Sequence, residues 1–592
     1  MNEVAKKMLT KSKNSRLETF GKTITFLCMS LIVFVVAMIL LFVAEKGLST
    51  FFVNKVNIFS FLFGTRWNPS GKEFGALPMI LGSFLVTLLS ALLATPFAIG
   101  AAVFMTEVSP KGSKILQPAI ELLVGIPSVV YGFIGLQVVV PFVRSIFGGT
   151  GFGILSGIFV LFVMILPTVT FMTTDSLRAV PRHYREASMA MGATRWQTIW
   201  RVTLKAARSG IFTAIVFGMA RAFGEALAIQ MVVGNSAVIP TSLTTPAATL
   251  TSILTMGIGN TVMGTVNNNV LWSLALVLLL MSLAFNTVIK LITKERGTMH
   301  AKKMDKLATG VLYTIAGIIV AILASLILYI LVRGLPHVSW KFLTGQSSSY
   351  QAGGGIGIQL YNSLFLLVIT LIISIPLSMG AGIYLSEYAK KGPVTDFVRT
   401  CIEILSSLPS VVVGLFGYLI FVIQFQYGFS IISGALALTV FNLPQMTRSV
   451  EDSLQHVHHT QREAGLALGI SRWETIVHVV VPEALPSIVT GIVLASGRIF
   501  GEAAALIYTA GQSAPALDWS NWNIFSVTSP ISVFRQAETL AVHIWKVNSE
   551  GTIPDAVEVS AGSAAVLLIF ILIFNLGARK LGGYLHKKLT SA

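Results

Sequence analysis

Along this chain the sequence passes about twelve times through roughly twenty or more mainly apolar residues, enough each time for a helix to cross a hydrocarbon core of about 30 Å. The runs fall near 23–44, 76–105, 115–142, 152–174, 209–234 and 268–292, then 307–332, 357–387, 397–425, 429–447, 485–510 and 561–578. A backbone in lipid must satisfy its own N–H and C=O groups, so each run is expected to be helical. Composition points the same way: 54% hydrophobic and 11% charged residues, with a mean hydropathy of +0.78, lie far from the globular average. The expected fold class is an all-α integral membrane protein.

The net charge of +17 would suit a nucleic-acid binder if the basic residues clustered on one surface. They do not. With the N-terminus placed inside, 31 of the 42 Lys and Arg fall in inside segments or, as Lys290 and Arg399 do, at the inside ends of runs; 9 fall outside, and Arg221 and Arg498 lie deep within apolar runs. That bias predicts a multi-pass membrane chain, both termini cytoplasmic, with the excess charge meeting lipid headgroups and no nucleic acid. The first run ends in Ala44-Glu45-Lys46 without a small-residue cleavage pattern, so it reads as a retained helix.

The chain also repeats itself. "GIPSVVYGFIG" at 125–135 matches "SLPSVVVGLFG" at 407–417, with Glu121 and Glu403 at the same place upstream. "DSLRAVPRHYREASMAMGATRWQTI" from Asp175 matches "DSLQHVHHTQREAGLALGISRWETI" from Asp452 at an offset of 277. Pro96 with Pro376, Glu107 with Glu387, and Pro167 with Pro444 extend the match over most of each half. The implied organisation is a cytoplasmic segment 1–22, a first half 23–292, a basic linker 293–306, a second half 307–580 and a cytoplasmic tail 581–592. Six spans per unit give two parallel six-helix repeats about an axis along the membrane normal, with a pathway between them. Pro127 and Pro409 are expected to break the helices they sit in.

The repeat is tightest in an inside loop before the fifth span of each half. Its first copy has Glu186-Ala187-Ser188, Gly192 and Val202-Thr203-Leu204; its second has Glu463-Ala464-Gly465, Gly469 and Val479-Val480-Val481-Pro482. These follow the pattern E-A-A-x3-G-x9-I-x-L-P, and the chain thereby resembles the permease subunits of ATP-binding-cassette importers of the type I fold. Lys205 stands where that pattern has proline, which weakens one helix stop. The resemblance implies that each loop forms a coupling helix docking on a separate ATPase, with Glu186, Ala187, Gly192, Glu463, Ala464 and Gly469 as its coupling residues. Glycine at 192 and 469 permits a sharp turn between two helical pieces. The plainer alternative is an amphipathic helix lying on headgroups, anchored by Arg195-Trp196 and Arg472-Trp473. No phosphate-cradling G-x-x-x-x-G-K-[ST] occurs, so ATP and Mg would bind the partner, and this chain is read as a transport subunit without enzyme activity or cofactor.

Arg221 and Arg498 are each followed by a phenylalanine, a glycine and a glutamate: Arg221, Phe223, Gly224, Glu225 and Arg498, Phe500, Gly501, Glu502. A helix would place each Arg and Glu as i,i+4 neighbours on one face. An arginine near mid-bilayer costs at least about 2.5–3.5 kcal/mol on insertion scales, so it marks a functional site by default. The alternative is an ion pair that only neutralises the charge. Two guanidinium forks facing one axis suit a tetrahedral oxyanion. Two carboxylates would favour phosphate over sulfate, because phosphate near neutral pH still has an O–H to donate. These motifs, with "PSVVYG" and "PSVVVG", resemble the phosphate-specific transport (Pst) family, the first half being similar to PstC permeases and the second to PstA. The resemblance implies inorganic phosphate as cargo at Arg221, Glu225, Arg498 and Glu502, a PstS-like phosphate-binding protein outside, and two copies of a PstB-like ATP-binding subunit inside.

Other readings remain open: a permease for sulfate or molybdate, a gradient-driven transporter with a 6+6 repeat, or a phosphate-sensing receptor. Cys28 and Cys401 share no ligand spacing and read as free thiols, and His456, His458 and His459 as a solvated helix face. The outside loops 235–267 and 511–560, the latter with Trp519 and Trp522, are candidates to receive the binding protein or to pack as ordinary loops. With Cys28 and Cys401 replaced, a cysteine at position 5 or 590 should react with a membrane-impermeant thiol reagent only after cells are opened. Labelling on intact cells would reverse the orientation.

Overall fold

The computed structural model describes residues 13–109, 112–113, 116–118, 120, 123, 125–292, 305–348, 350–390, 392–467, 470–551 and 553–590. Gly469, Glu121 and most of the linker lie outside the described residues.

In the first half α1 (Lys13–Phe52) leads to a short antiparallel hairpin, β1 (Trp67–Asn68) with β2 (Glu73–Phe74). Then follow α2 (Leu77–Val103), α3 (Ser128–Ile134), α4 (Ile154–Arg178), α5 (Arg182–Ala190), α6 (Leu204–Phe223), α7 (Leu227–Val232), α8 (Leu250–Gly257) and α9 (Val266–Ile292). The second half holds α10 (Asp305–Gly334), α11 (Gly357–Ile383), α12 (Pro393–Ser407), α13 (Ser410–Gly417), α14 (Ile431–Gln455), α15 (His459–Ala467), α16 (Val481–Gly501), α17 (Ala504–Ile507), α18 (Leu540–Glu550) and α19 (Ala556–Thr590).

Among the described residues ten helices are long and apolar enough to cross a membrane, and an eleventh span arises if Pro393–Ser407 and Ser410–Gln424 are joined across their 97° bend. The bend falls at Pro409, which starts a new helix, as Pro127 does in the first half, so both prolines act as the expected breaks. α14 completes the set. It is the counterpart of α4, but Asn442, Gln445, Arg448 and Glu451 make it too polar to pass on apolarity alone.

The most extensive packing joins α2 to α4 and, equivalently, α11 to α14. Onto each pair comes the fifth span of the same half, α6 or α16. The first span of each half is exchanged. α1 packs on α11 and α12 of the second half, with Phe26 edge-on to Tyr384 at 5.4 Å between ring centroids, and α10 packs on α2 of the first, with Phe104 edge-on to Tyr313 at 4.9 Å. Small residues allow these approaches, as is usual where lipid gives no hydrophobic drive between helices. A Cβ at Gly100 would sit 2.8 Å from Ile315 Cδ1, and one at Gly380 would sit 2.6 Å from Cys28 Sγ. The exchange braces each half with a helix from the other.

Two helices absent from the sequence reading, α8 and α18, fold back inside the long loops. Each starts with a threonine N-cap, Thr249 or Thr539, and each receives a serine from the second span of its half: Ser83 Oγ accepts from Leu250 N at 2.9 Å and Ser363 Oγ from Leu540 N at 2.8 Å.

The exchange can be trapped. Gly380→Cys should form a disulfide with Cys28, with a small backbone adjustment to reach an ordinary Cβ separation of about 3.5–4.5 Å. After cleavage at a protease site placed in the linker, the two halves should stay joined on a non-reducing gel and separate on reduction. Two separate bands under oxidising conditions would refute the exchange.

Candidate anion site and coupling helices

The fifth span stops at its arginine. α6 ends at Phe223 and α16 at Gly501, so Glu225 and Glu502 lie past the helix end, not one turn further along it. This corrects the expectation of an i,i+4 pair. Glu225 instead caps the next helix: its Oε1 accepts from Ala228 N at 3.2 Å, and the Ser128 hydroxyl bonds the same carboxylate. Glu502 is met in the same way by the N–H groups of Ala504 and Ala505. Neither Arg–Glu pair lies within ion-pair distance among the described residues. Each pair still interacts through space, Arg221 with Glu225 and Arg498 with Glu502, without a direct bond.

Each guanidinium is held by the fourth span of its half. Arg221 Nη1 donates to Thr168 Oγ1 at 2.6 Å, and Arg498 Nη1 donates to Gln445 Oε1. Thr168 and Gln445 correspond at the repeat offset, each directly after the proline inside its helix, Pro167 or Pro444. Arg498 also lies over the Phe441 ring, 4.3 Å from its centroid. Sequence reasoning missed all three partners, although the repeated Pro-polar step was visible.

The halves then meet at the arginines. A Cβ on Gly224 would lie 3.2 Å from Pro409 Cα, and one on Gly501 would lie 2.4 Å from Pro127 Cγ. The R-x-x-G-E segment of each half thus abuts the P-S-V-V segment of the other, and glycine is required because only a bare Cα admits the proline. Across this contact Arg221 acts electrostatically on Arg498, and Glu225 on Glu502. All four predicted site residues are therefore gathered near the axis between the halves.

The segments that follow the arginines are closed in: every residue from 226 to 233 and from 503 to 511 is buried. Cross-half bonds reinforce them: Trp545 Nε1 donates to Gln230 Oε1 at 3.2 Å, and Tyr508 Oη to the Thr255 carbonyl at 3.2 Å. Arg221, Glu225 and Glu502 are part-exposed and Arg498 exposed.

At the other end of the spans, α5 and α15 carry Glu186, Ala187, Glu463 and Ala464 fully exposed. Tyr184, Met189 and Met191 around α5, and Leu466 on α15, add exposed apolar surface. Gly192 follows α5 with φ +80°, a left-handed turn that glycine adopts without steric cost. Lys205 does not alter the geometry expected of proline. Both copies form the same one-turn widening, Ile199–Thr203 and Ile476–Val480, before the fifth span, although only the second has proline after it. His456, His458 and His459 are exposed, with His459 Nε2 at 4.0 Å from Glu463, and no metal-holding group occurs among the described residues. Trp519 and Trp522 are exposed.

Two related bundles, paired arginines where they meet, and two exposed helices at one end fit a multi-pass transport permease. The chain belongs to the family described as binding-protein-dependent transport system inner membrane component, which it matches twice, over residues 94–296 and 374–591. It is 55% identical over 293 residues to the probable ABC transporter permease protein YqgI of Bacillus subtilis, covering 50% of this chain and all of that one. It is 34% identical over 221 residues to the phosphate transport system permease protein PstC of Xylella fastidiosa, 34% of this chain and 68% of that one. The PstA homolog of Mycoplasma pneumoniae is 24% identical over 582 residues, 86% of this chain and 87% of its own. The architecture is that of a PstC–PstA fusion, a permease of the ABC-importer type.

Because the Pro127 ring is held at the start of α3, Gly501→Ala is expected to cost about 1–3 kcal/mol through overpacking, and Gly224→Ala less. Thermal midpoints in detergent check the ranking; equal midpoints would mean that the halves do not meet as described.

Proposed function

We propose that this chain is the complete membrane core of an ATP-driven importer of inorganic phosphate. The observation that carries the reading is the gathering of one Arg and one Glu from each half, all four still part-exposed or exposed, beside the buried segments of α7 and α17. Two guanidinium groups supply forked donors for a tetrahedral anion, and Glu225 and Glu502 accept the O–H that phosphate retains. Sulfate in the same place would present only lone pairs to those carboxylates. The PstC and PstA names of relatives support phosphate over other oxyanions.

The basic-residue bias puts α5, α15 and both termini in the cytoplasm. On that reading the site opens inward. An external phosphate-binding protein delivers phosphate to the α7/α17 side during the outward-open phase. α5 and α15 each receive one of two ATP-binding subunits, whose ATP and Mg drive the alternation. A coupling surface needs exposed side chains on a fixed lever, and α5 with Gly192 has both.

The test is reconstitution of the full chain with its ATPase subunits and phosphate-binding protein, following ATP hydrolysis and phosphate uptake with sulfate and molybdate as controls. Phosphate should stimulate both. Arg221→Ala and Arg498→Ala should each raise KM for phosphate delivery roughly 10- to 100-fold, the loss of a charge-assisted bond. Glu225→Gln with Glu502→Gln should admit sulfate. Stimulation by sulfate or molybdate in the unaltered protein would overturn the substrate assignment, and uptake without any ATPase would overturn the class of mechanism.

A further inference from the structure

The repeated pair Glu107 and Glu387 takes no part in the anion site, yet both carboxylates are buried, 8% and 5% exposed, at the ends of the second spans. Each sits in a widened last turn, Phe104–Val108 or Tyr384–Tyr388, at the face that carries α5 and α15. Each binds an arginine on the neighbouring exposed helix: Arg185 Nη2 lies 2.8 Å from Glu107 Oε1, and Arg462 Nη2 lies 2.8 Å from Glu387 Oε1. Nε of both arginines donates to the same carboxylate.

The remaining donors of these arginines reach the end of the fourth span. Arg185 bonds the carbonyls of Leu177 and Val180 at 2.9 Å, and Arg462 those of Leu454 and Val457 at 2.6 Å. A second arginine closes the knot, for Arg195 donates to the Glu107 carbonyl and Arg472 to the Glu387 carbonyl, each from the foot of the fifth span. One carboxylate residue thus gathers the ends of the second, fourth and fifth spans and the exposed helix between them. The same knot is built twice, residue for residue.

We propose that Glu107 and Glu387 are positioning residues for energy coupling: each ties its exposed helix to the second and fourth spans, so that a push on α5 or α15 moves the whole three-span wall of the anion pathway. The other side-chain contacts of the exposed helices run to the foot of the fifth span, Ser188 Oγ to Thr198 Oγ1 at 2.9 Å and Gly465 against Thr475, so the carboxylate is what joins them to the second span. An arginine fork bound to carboxylate and two carbonyls resists shear in a way that apolar packing of short helices does not. A link meant only for stability needs no ion pair, since apolar packing of similar volume usually serves as well. The inference rests on the coupling role proposed above for α5 and α15.

The full chain with its ATPase subunits and phosphate-binding protein provides the test, scored as phosphate moved per ATP hydrolysed so that lower protein yield does not enter. Glu107→Gln and Glu387→Gln should lower that ratio roughly 2- to 30-fold, the span over which residues in a coupling network act. Phosphate-independent ATP hydrolysis should persist. A ratio unchanged in both variants overturns the proposal. Should Gln variants lose the ATPase, Glu107→Cys with Arg185→Cys, made in a chain lacking Cys28 and Cys401 and joined by a short bifunctional thiol reagent, decides the matter. Restoration of the ratio on joining supports a mechanical tie, and failure to restore it overturns one. If the unaltered protein shows no phosphate-dependent hydrolysis, the transport reading fails first, and that result is visible before any variant is made.

Discussion

A guanidinium group in the last turn of a membrane-spanning helix must find its partners inside the protein, and much of this structure answers that demand. Arg221 and Arg498 take acceptors from the fourth spans, Thr168 and Gln445, and Arg498 adds the face of Phe441. Those acceptors are within reach because α4 and α14 carry a proline just before them and lie against the fifth spans. The glutamates, placed beyond the helix ends, are satisfied by backbone N–H groups of the following segments. Each charge feels its sequence neighbour without bonding it directly.

The same constraint shapes the join between the halves. Two cationic groups can be brought together near one axis only if the backbones there come close, and the Gly224–Pro409 and Gly501–Pro127 contacts are the closest approach of that join. Exchange of α1 and α10 between the halves adds a second set of contacts. Fusion into one chain is compatible with this plan because the linker 293–306 connects α9 to a helix that packs both on α2 of the half just left and on α19 of its own half.

At the α5/α15 face the demand is different, because water and partner proteins are at hand and most polar groups there need no internal partner. Glu107 and Glu387 are buried among arginines there, and Glu451 is buried against Arg399. The environments of Glu107 and Glu387 match in the two halves, whereas the anion-site acceptors differ, threonine in one and glutamine in the other. The halves are thus alike where force would be transmitted and unlike where a single asymmetric cargo would be held.

Membrane class, number of spans and the twofold plan were legible in the sequence because lipid makes apolar length and backbone self-satisfaction nearly sufficient to specify a helix. The repeat placed Arg221, Glu225, Arg498 and Glu502 in equivalent positions, and Gly192 declared its turn through its lack of a side chain. Local pattern could not show that Glu225 and Glu502 lie off the helix, since each helix ends at a contact with a proline from the other half. Nor could it show that Lys205 leaves the widened turn intact, because packing and not the proline sets that turn. The exchange of α1 and α10, the folded-back α8 and α18, and the knots around Glu107 and Glu387 all depend on residues tens to hundreds of positions apart. Sequence by itself determined which segments cross and which charges had to be explained; only tertiary structure decided what those charges touch, because in a low-dielectric interior the nearest partner in space, not in sequence, settles the energy of an ion.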